Sequence, residues 1–172
     1  MRAPGDTWGW IRAATLVCLP ALLQAAGKAQ KNEVAEFQAR FDHEPDPVQK
    51  AKLMQRLGTL DFDEIRNDVN ADSLPEATRI LDQYRDDAGV CVEGLDAKKI
   101  DAAKHSSGFK QLQISVQEAL RQVDEIVLEL TTDQQSDFIA VRSDLQRMND
   151  HLVEELFPSA PAAKRHEEKS NQ

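Results

Sequence analysis

Phe109 to Leu130 reads FKQLQISVQEALRQVDEIVLEL, with apolar residues at Phe109, Leu112, Val116, Ala119, Val123, Ile126 and Leu130. The steps alternate three and four, the spacing at which a helix keeps returning one face to its neighbour. A strand needs alternation at every second residue, and no segment of the chain sustains that. C-terminal to this stretch, Phe138, Val141, Leu145, Met148, Leu152 and Leu156 step 3-4-3-4-4 before Pro158 and Pro161 end the pattern. Between the two lies Thr131-Thr132-Asp133-Gln134-Gln135, in which Thr132 and Gln135 have the spacing of a capping box. A helix is therefore expected over 132–156, and with 109–130 it forms a long antiparallel hairpin. Heptad spacing also admits a coiled-coil dimer, but short turns favour partners within the chain.

N-terminal to this hairpin the same grammar recurs. Ser106-Ser107-Gly108 reads as a turn. Ser73-Leu74-Pro75-Glu76 has the form of a capping box, opening a helix with Ala77, Ile80, Leu81, Tyr84, Ala88, Cys91 and Leu95 on one face. Gly89 and Gly94 predict a kink near 88–97, since glycine costs about 1 kcal/mol against alanine inside a helix. Asp46-Pro47-Val48-Gln49 starts an earlier helix: Asp46 caps, Pro47 takes the first helical position and Gln49 reaches back. Its face runs Val48, Ala51, Met54, Leu57, then Phe62, Ile65 and Val69 after a wobble at Gly58-Thr59. A short segment from Glu33 to Phe41, ended by Pro45, aligns Val34, Phe37 and Phe41. From 76 to 157 there is no proline, as a largely helical stretch requires. The expected fold class is all-α, an antiparallel helical bundle of about four helices.

The N-terminus has a different composition. Arg2 and Arg12 precede an apolar run from Ala13 to Leu23, followed by the small residues Ala25, Ala26, Gly27 and Ala29. These are the three parts of a secretory signal peptide, expected over 1–27 with cleavage after Gly27 or Ala29. The run is interrupted by Pro20 and is shorter than the roughly 20 apolar residues a membrane span needs. Retention as an uncleaved anchor is the alternative. Cys18 lies inside the apolar run without the small residue that a lipid-attachment box places before its cysteine. The expected organisation is 1–27 signal peptide, 28–157 helical bundle and 158–172 disordered tail, the last small, charged and polar. The destination is the periplasm or the extracellular space.

Composition limits the functional classes. Among 172 residues, 21 Lys and Arg face 30 Asp and Glu, for a net charge of −9. A nucleic-acid binder needs a basic face, so none is expected as partner. Acidity also repels an anionic membrane surface. Two cysteines make no disulfide framework, and Cys91, in step with Tyr84, Ala88 and Leu95, reads as buried.

The spacings that carry common chemistries do not occur in the chain. None of His43, His105, His151 and His166 has Glu three residues before it, as a di-iron bundle requires. His151 and Glu154 share a helix face, more in the manner of a surface pair than of a metal site. Met54 and His151 are the one loose match to the ligand pair of a four-helix haem protein, and a ligand pair alone is not a site. No Gly-x-Ser-x-Gly elbow and no glycine-rich phosphate loop occurs. The carboxylates Asp61, Asp63, Glu64, Asp68, Asp82, Asp86 and Asp87 read as solvated helix faces. No catalytic, cofactor-binding or metal residue is expected, and no cofactor.

Two stretches carry resemblances. Leu130-Thr131-Thr132-Asp133-Gln134 is similar to the LTxxQ motif of the periplasmic stress-chaperone and metal-resistance family, present here in one copy where that family typically has two. The resemblance implies a helical hairpin that dimerises and shields unfolded clients. Leu57-Gly58, then Ala77, Ile80 and Leu81, look like one tetratricopeptide helix pair without its first-helix aromatics. Over 33–158 the chain resembles small exported all-α bacterial proteins, which brings no activity with it. The expected function is therefore non-catalytic: an exported acidic module that binds a protein or itself through helix faces. Its alternative is the LTxxQ-type chaperone.

Overall fold

Pro47 has no N–H to leave unsatisfied and fits the first position of a helix. In the computed structural model, which describes residues 32–99, 102 and 105–158, it begins the first long one. The helices are α1 (32–43), α2 (Pro47–Asn70), α3 (Leu74–Ala97), α4 (Ser107–Glu129) and α5 (Ser136–Leu156), with no strand among the described residues. The fold is an all-α bundle. The expected signal peptide, 1–27, and residues 159–172 of the expected tail lie outside the described residues.

The expected faces are the buried faces. Ala77, Ile80, Leu81, Tyr84, Ala88, Cys91 and Leu95 are the buried residues of α3, and the whole Phe109–Leu130 seam lies in the core. Ser115 and Leu120 are buried beside that seam, which makes the apolar stripe of α4 wider than a two-per-heptad dimer seam. The seam is spent inside one chain.

Helix ends depart from expectation, and each departure has a local cause. Asp46 stands at the cap of α2, but its carboxylate meets Lys98, which holds its pKa below the usual carboxylate value. Glu44, not Gln49, takes the Asp46 N–H, at 2.9 Å. At the other end of α2, Asp72 adopts φ 57°, Asp72 N–H bonds Val69 O at 3.1 Å and Ser73 N–H bonds Asp68 O at 2.8 Å. That is a Schellman closure with aspartate where glycine is usual. It consumes the Ser73 N–H, so Glu76 has nothing to reach back to and pairs with Arg79 at 2.9 Å. The expected Ser73/Glu76 box is not formed.

The expected helix start at Thr132 also moves. α5 begins at Ser136, because Gln135 turns the other way and donates to Val127 O at 2.9 Å and Leu130 O at 3.0 Å. It thereby closes the orphan carbonyls at the end of α4. Gln134 Oε1 accepts from Thr131 N–H at 3.1 Å, so the LTTDQ stretch closes on itself from its second residue to its last. No break interrupts α3 at Gly89 or Gly94, and the helix is continuous from Leu74 to Ala97. Gly108 belongs to the first turn of α4, where a Cβ would come within 2.8 Å of Leu95 and 3.2 Å of Val48.

α2 and α3 form one antiparallel hairpin, α4 and α5 another. Between hairpins, neighbours run the same way. α2 lies beside α4, joined near one end by Gly108 against Val48 and toward the other by Arg66 to Glu125 at 2.6 Å. α3 lies beside α5, joined by Arg85 to Asp144 at 3.9 Å and Asp96 to His151 at 2.9 Å. α3 also meets α4 across the centre, whereas α2 and α5 do not touch. Consecutive helices thus run oppositely, as expected, α3 against α4 included, while α2 with α4 and α3 with α5 are neighbours that run the same way.

Candidate functional site

Three places in the bundle combine polar chemistry with burial or a concave surface. The first is central. Tyr84 is fully buried on α3 and reaches α4, where its hydroxyl lies 3.1 Å from Ser115 O and 3.0 Å from Ser115 Oγ. A buried phenol needs such partners, since an unsatisfied hydroxyl costs about 1–3 kcal/mol. Its ring crosses α2 at Gly58 and meets Phe62 edge-on, with centroids 5.4 Å apart. Burial, first, raises the phenol pKa well beyond its ordinary value. Above the ring, between α2 and α4, opens a cleft of about 250 Å³ edged by Gln55, Thr59, Ile114, Glu118 and Gln122. These polar groups largely satisfy one another or their own helices: Thr59 bonds Gln55 O at 3.0 Å, and Glu118 pairs with Arg121.

The second place is a groove of about 460 Å³ between the like-directed helices α3 and α5. Val90, 47% exposed, lies in it with Gly89, Val92 and Met148. Gly89 leaves it open, since a Cβ there would meet only the flexible end of Met148, at 3.6 Å. Charges border the apolar strip. Arg85 bonds Asp82 and Asp86, both at 2.8 Å, Arg147 pairs with Asp144, and His151 pairs with Asp96.

No family model, curated protein or solved structure matches this chain.

The third place corrects the sequence reading. Asp61 is not on a solvated face; it is 6% exposed. Burial, reinforced by the negative charges of Asp87 and Glu64, pushes its pKa up to about 7. Asp87 is raised too, chiefly by burial, although Gln38 of α1 donates to it at 3.0 Å. A signal for Asp61 was present in the sequence: it stands four residues after Leu57 and four before Ile65, inside the α2 stripe.

The other candidate ligands lie apart. Met54 is buried on α2 and His151 lies on α5, two helices that do not touch. His151 bonds Asp96 of another helix rather than forming a metal pair with Glu154. Among the described residues no three of His, Cys, Asp and Glu gather as metal ligands would. Cys91 is buried as expected, and burial raises its thiol pKa to about 12.

Proposed function

We propose that this chain is an exported, acidic helical module that works by binding a protein, a second copy included, rather than by catalysis. The α3/α5 groove carries this reading. It offers Val90 and Met148 along a shallow strip between paired charges, which suits an amphipathic helix or a flat protein surface. Export rests on the basic, apolar and small-residue sequence of the first 27 residues. No helix among the described residues is long and apolar enough to cross a membrane.

The chaperone alternative needs the apolar face of the 109–156 hairpin to meet clients. Val116, Val123 and Leu145 are fully buried, so that route requires the bundle to open. The test belongs on the groove. The mass of the purified chain is followed across concentration by light scattering, and its protection of a denatured client by turbidity. Val90→Asp, on an exposed site, leaves the helical signal intact. Association or protection lost in that variant supports binding through the groove. Activity unchanged by Val90→Asp, or neither activity in the parent, removes this face as the binding surface.

A further inference from the structure

The two walls of the α3/α5 groove run in the same direction and stay level with each other along its length. Arg85 stands opposite Asp144 at 3.9 Å, Gly89 opposite Met148, and Asp96 opposite His151 at 2.9 Å. At both charged levels, what α3 presents is the complement of what α5 presents. The walls also differ in sign. On α3, Asp86, Glu93 and Asp96 stand along the groove with Arg85 as their only cation. On α5, Arg147 and the imidazole of His151 stand with Asp144.

Most of these charges are satisfied within the chain, Asp86 by Arg85 and Asp96 by His151. Two groups keep bonding capacity turned to solvent. Glu93 is exposed and pairs with no described residue. The Arg147 side chain is 78% exposed and bonds Asp144 through one nitrogen, which leaves the rest of its guanidinium fork free. One open anion thus stands on the α3 wall and one open cation on the α5 wall, with Val90 and Met148 between them.

We propose that the occupant of this groove is a second copy of the chain, docked about a two-fold axis that runs along the groove. This names the partner of the binding reading above and rests on it. Rotation about an axis parallel to the helices keeps their direction and their levels, so α3 of each copy lies on α5 of the other. Val90 then meets the partner's Met148, and the exchange occurs twice. Glu93 comes within about one helical turn, about 5 Å, of the partner's Arg147, a gap the arginine side chain spans. The alternative two-fold axis, across the groove, would lay α3 on α3 and set acid against acid. Each copy carries a net charge of −9, so two copies stay together only where the contact itself brings opposite charges to face each other. The walls meet that condition because they differ in sign and run alike.

Sedimentation equilibrium on the full chain tests it. The parent's mass is expected to rise with concentration from 19.3 kDa toward twice that value. Glu93→Arg and Arg147→Glu, both at exposed sites, keep the helical signal. Each alone should weaken association by at least about tenfold, because each sets like charges together at two symmetry-related places. Mixed in equal amounts, the two variants should regain the parent's association, since every reversed charge then meets an opposite one. No contact within a single chain produces that recovery. A parent that stays monomeric, association that neither reversal weakens, or a mixture no heavier than its components would each overturn the proposal. A monomeric parent whose protection of a denatured client is lost in Val90→Asp removes the second copy but keeps the groove as a binding surface, so the two readings fail separately.

Discussion

Gly58→Ala sets two effects of opposite sign against each other. Alanine in a helix interior gains about 1 kcal/mol over glycine from propensity alone. The new methyl, however, would lie 2.8 Å from Tyr84 Cε2. That ring yields only by giving up contacts, because it is fully buried, tethered at its hydroxyl to Ser115 and set against Phe62. Overpacking of this kind costs about 1–3 kcal/mol, so the variant should be net destabilised by about 1 kcal/mol. For a chain of this size that corresponds to a fall in Tm of about 2–4 °C. Gly89→Ala supplies the opposite control. Its methyl meets only Met148 Cε at 3.6 Å, so the propensity gain of about 0.5–1 kcal/mol should survive. Urea unfolding followed by far-UV circular dichroism measures both. In a Tyr84→Phe background, where the ring is no longer tethered, Gly58→Ala should cost less. Stabilisation by Gly58→Ala, or the same cost in both backgrounds, would refute the reasoning.

Four further outcomes follow from hydrogen bonds and burial. Gln135→Ala should lower stability by about 1–2 kcal/mol in the same urea assay, because Val127 O and Leu130 O lose their donor. Thr132→Ala, at an exposed site outside any formed box, should change it by less than about 0.5 kcal/mol. Tyr84→Phe should cost about 1 kcal/mol for the bond to Ser115, and the loss should not depend on salt. Cys91 should resist a thiol reagent in the folded chain at neutral and mildly alkaline pH and react fully in denaturant, since burial raises its pKa to about 12.

The periodicity of α3 and α4 was sufficient to read their buried faces, because a helix places every third or fourth residue inward whatever it packs against. The same argument read α2 well from Ala51 to Leu57 and then passed over Asp61. Its polar side chain suggested a solvated face, although it falls four residues from both Leu57 and Ile65. Helix starts were harder. Whether Ser73 caps α3 depends on whether its N–H is already used by Asp68 O, and whether Gln135 serves α5 depends on what α4 leaves open. Those are facts about the preceding turn, and the Ser-x-x-Glu and Thr-x-x-Gln spacings contain none of them. Nor does periodicity say which faces meet. The Tyr84–Ser115 contact depends on α3 meeting α4 across the centre, and the groove and the cleft on the pairing of like-directed helices, neither of which any single helix's periodicity contains.

The pairing of like-directed helices also sets the electrical shape of the bundle. When neighbours alternate in direction, positive and negative helix ends alternate around each end of a bundle and largely cancel. Here α2 and α4 begin side by side, while α3 and α5 finish side by side opposite them. One edge of that end therefore gathers two amino-terminal partial charges, and the facing edge two carboxy-terminal ones. Asp46 stands at the start of α2, while Lys98 follows α3, each with the sign its edge favours. The Lys98–Asp46 pair joins the two edges and acts as a clasp across a transverse dipole.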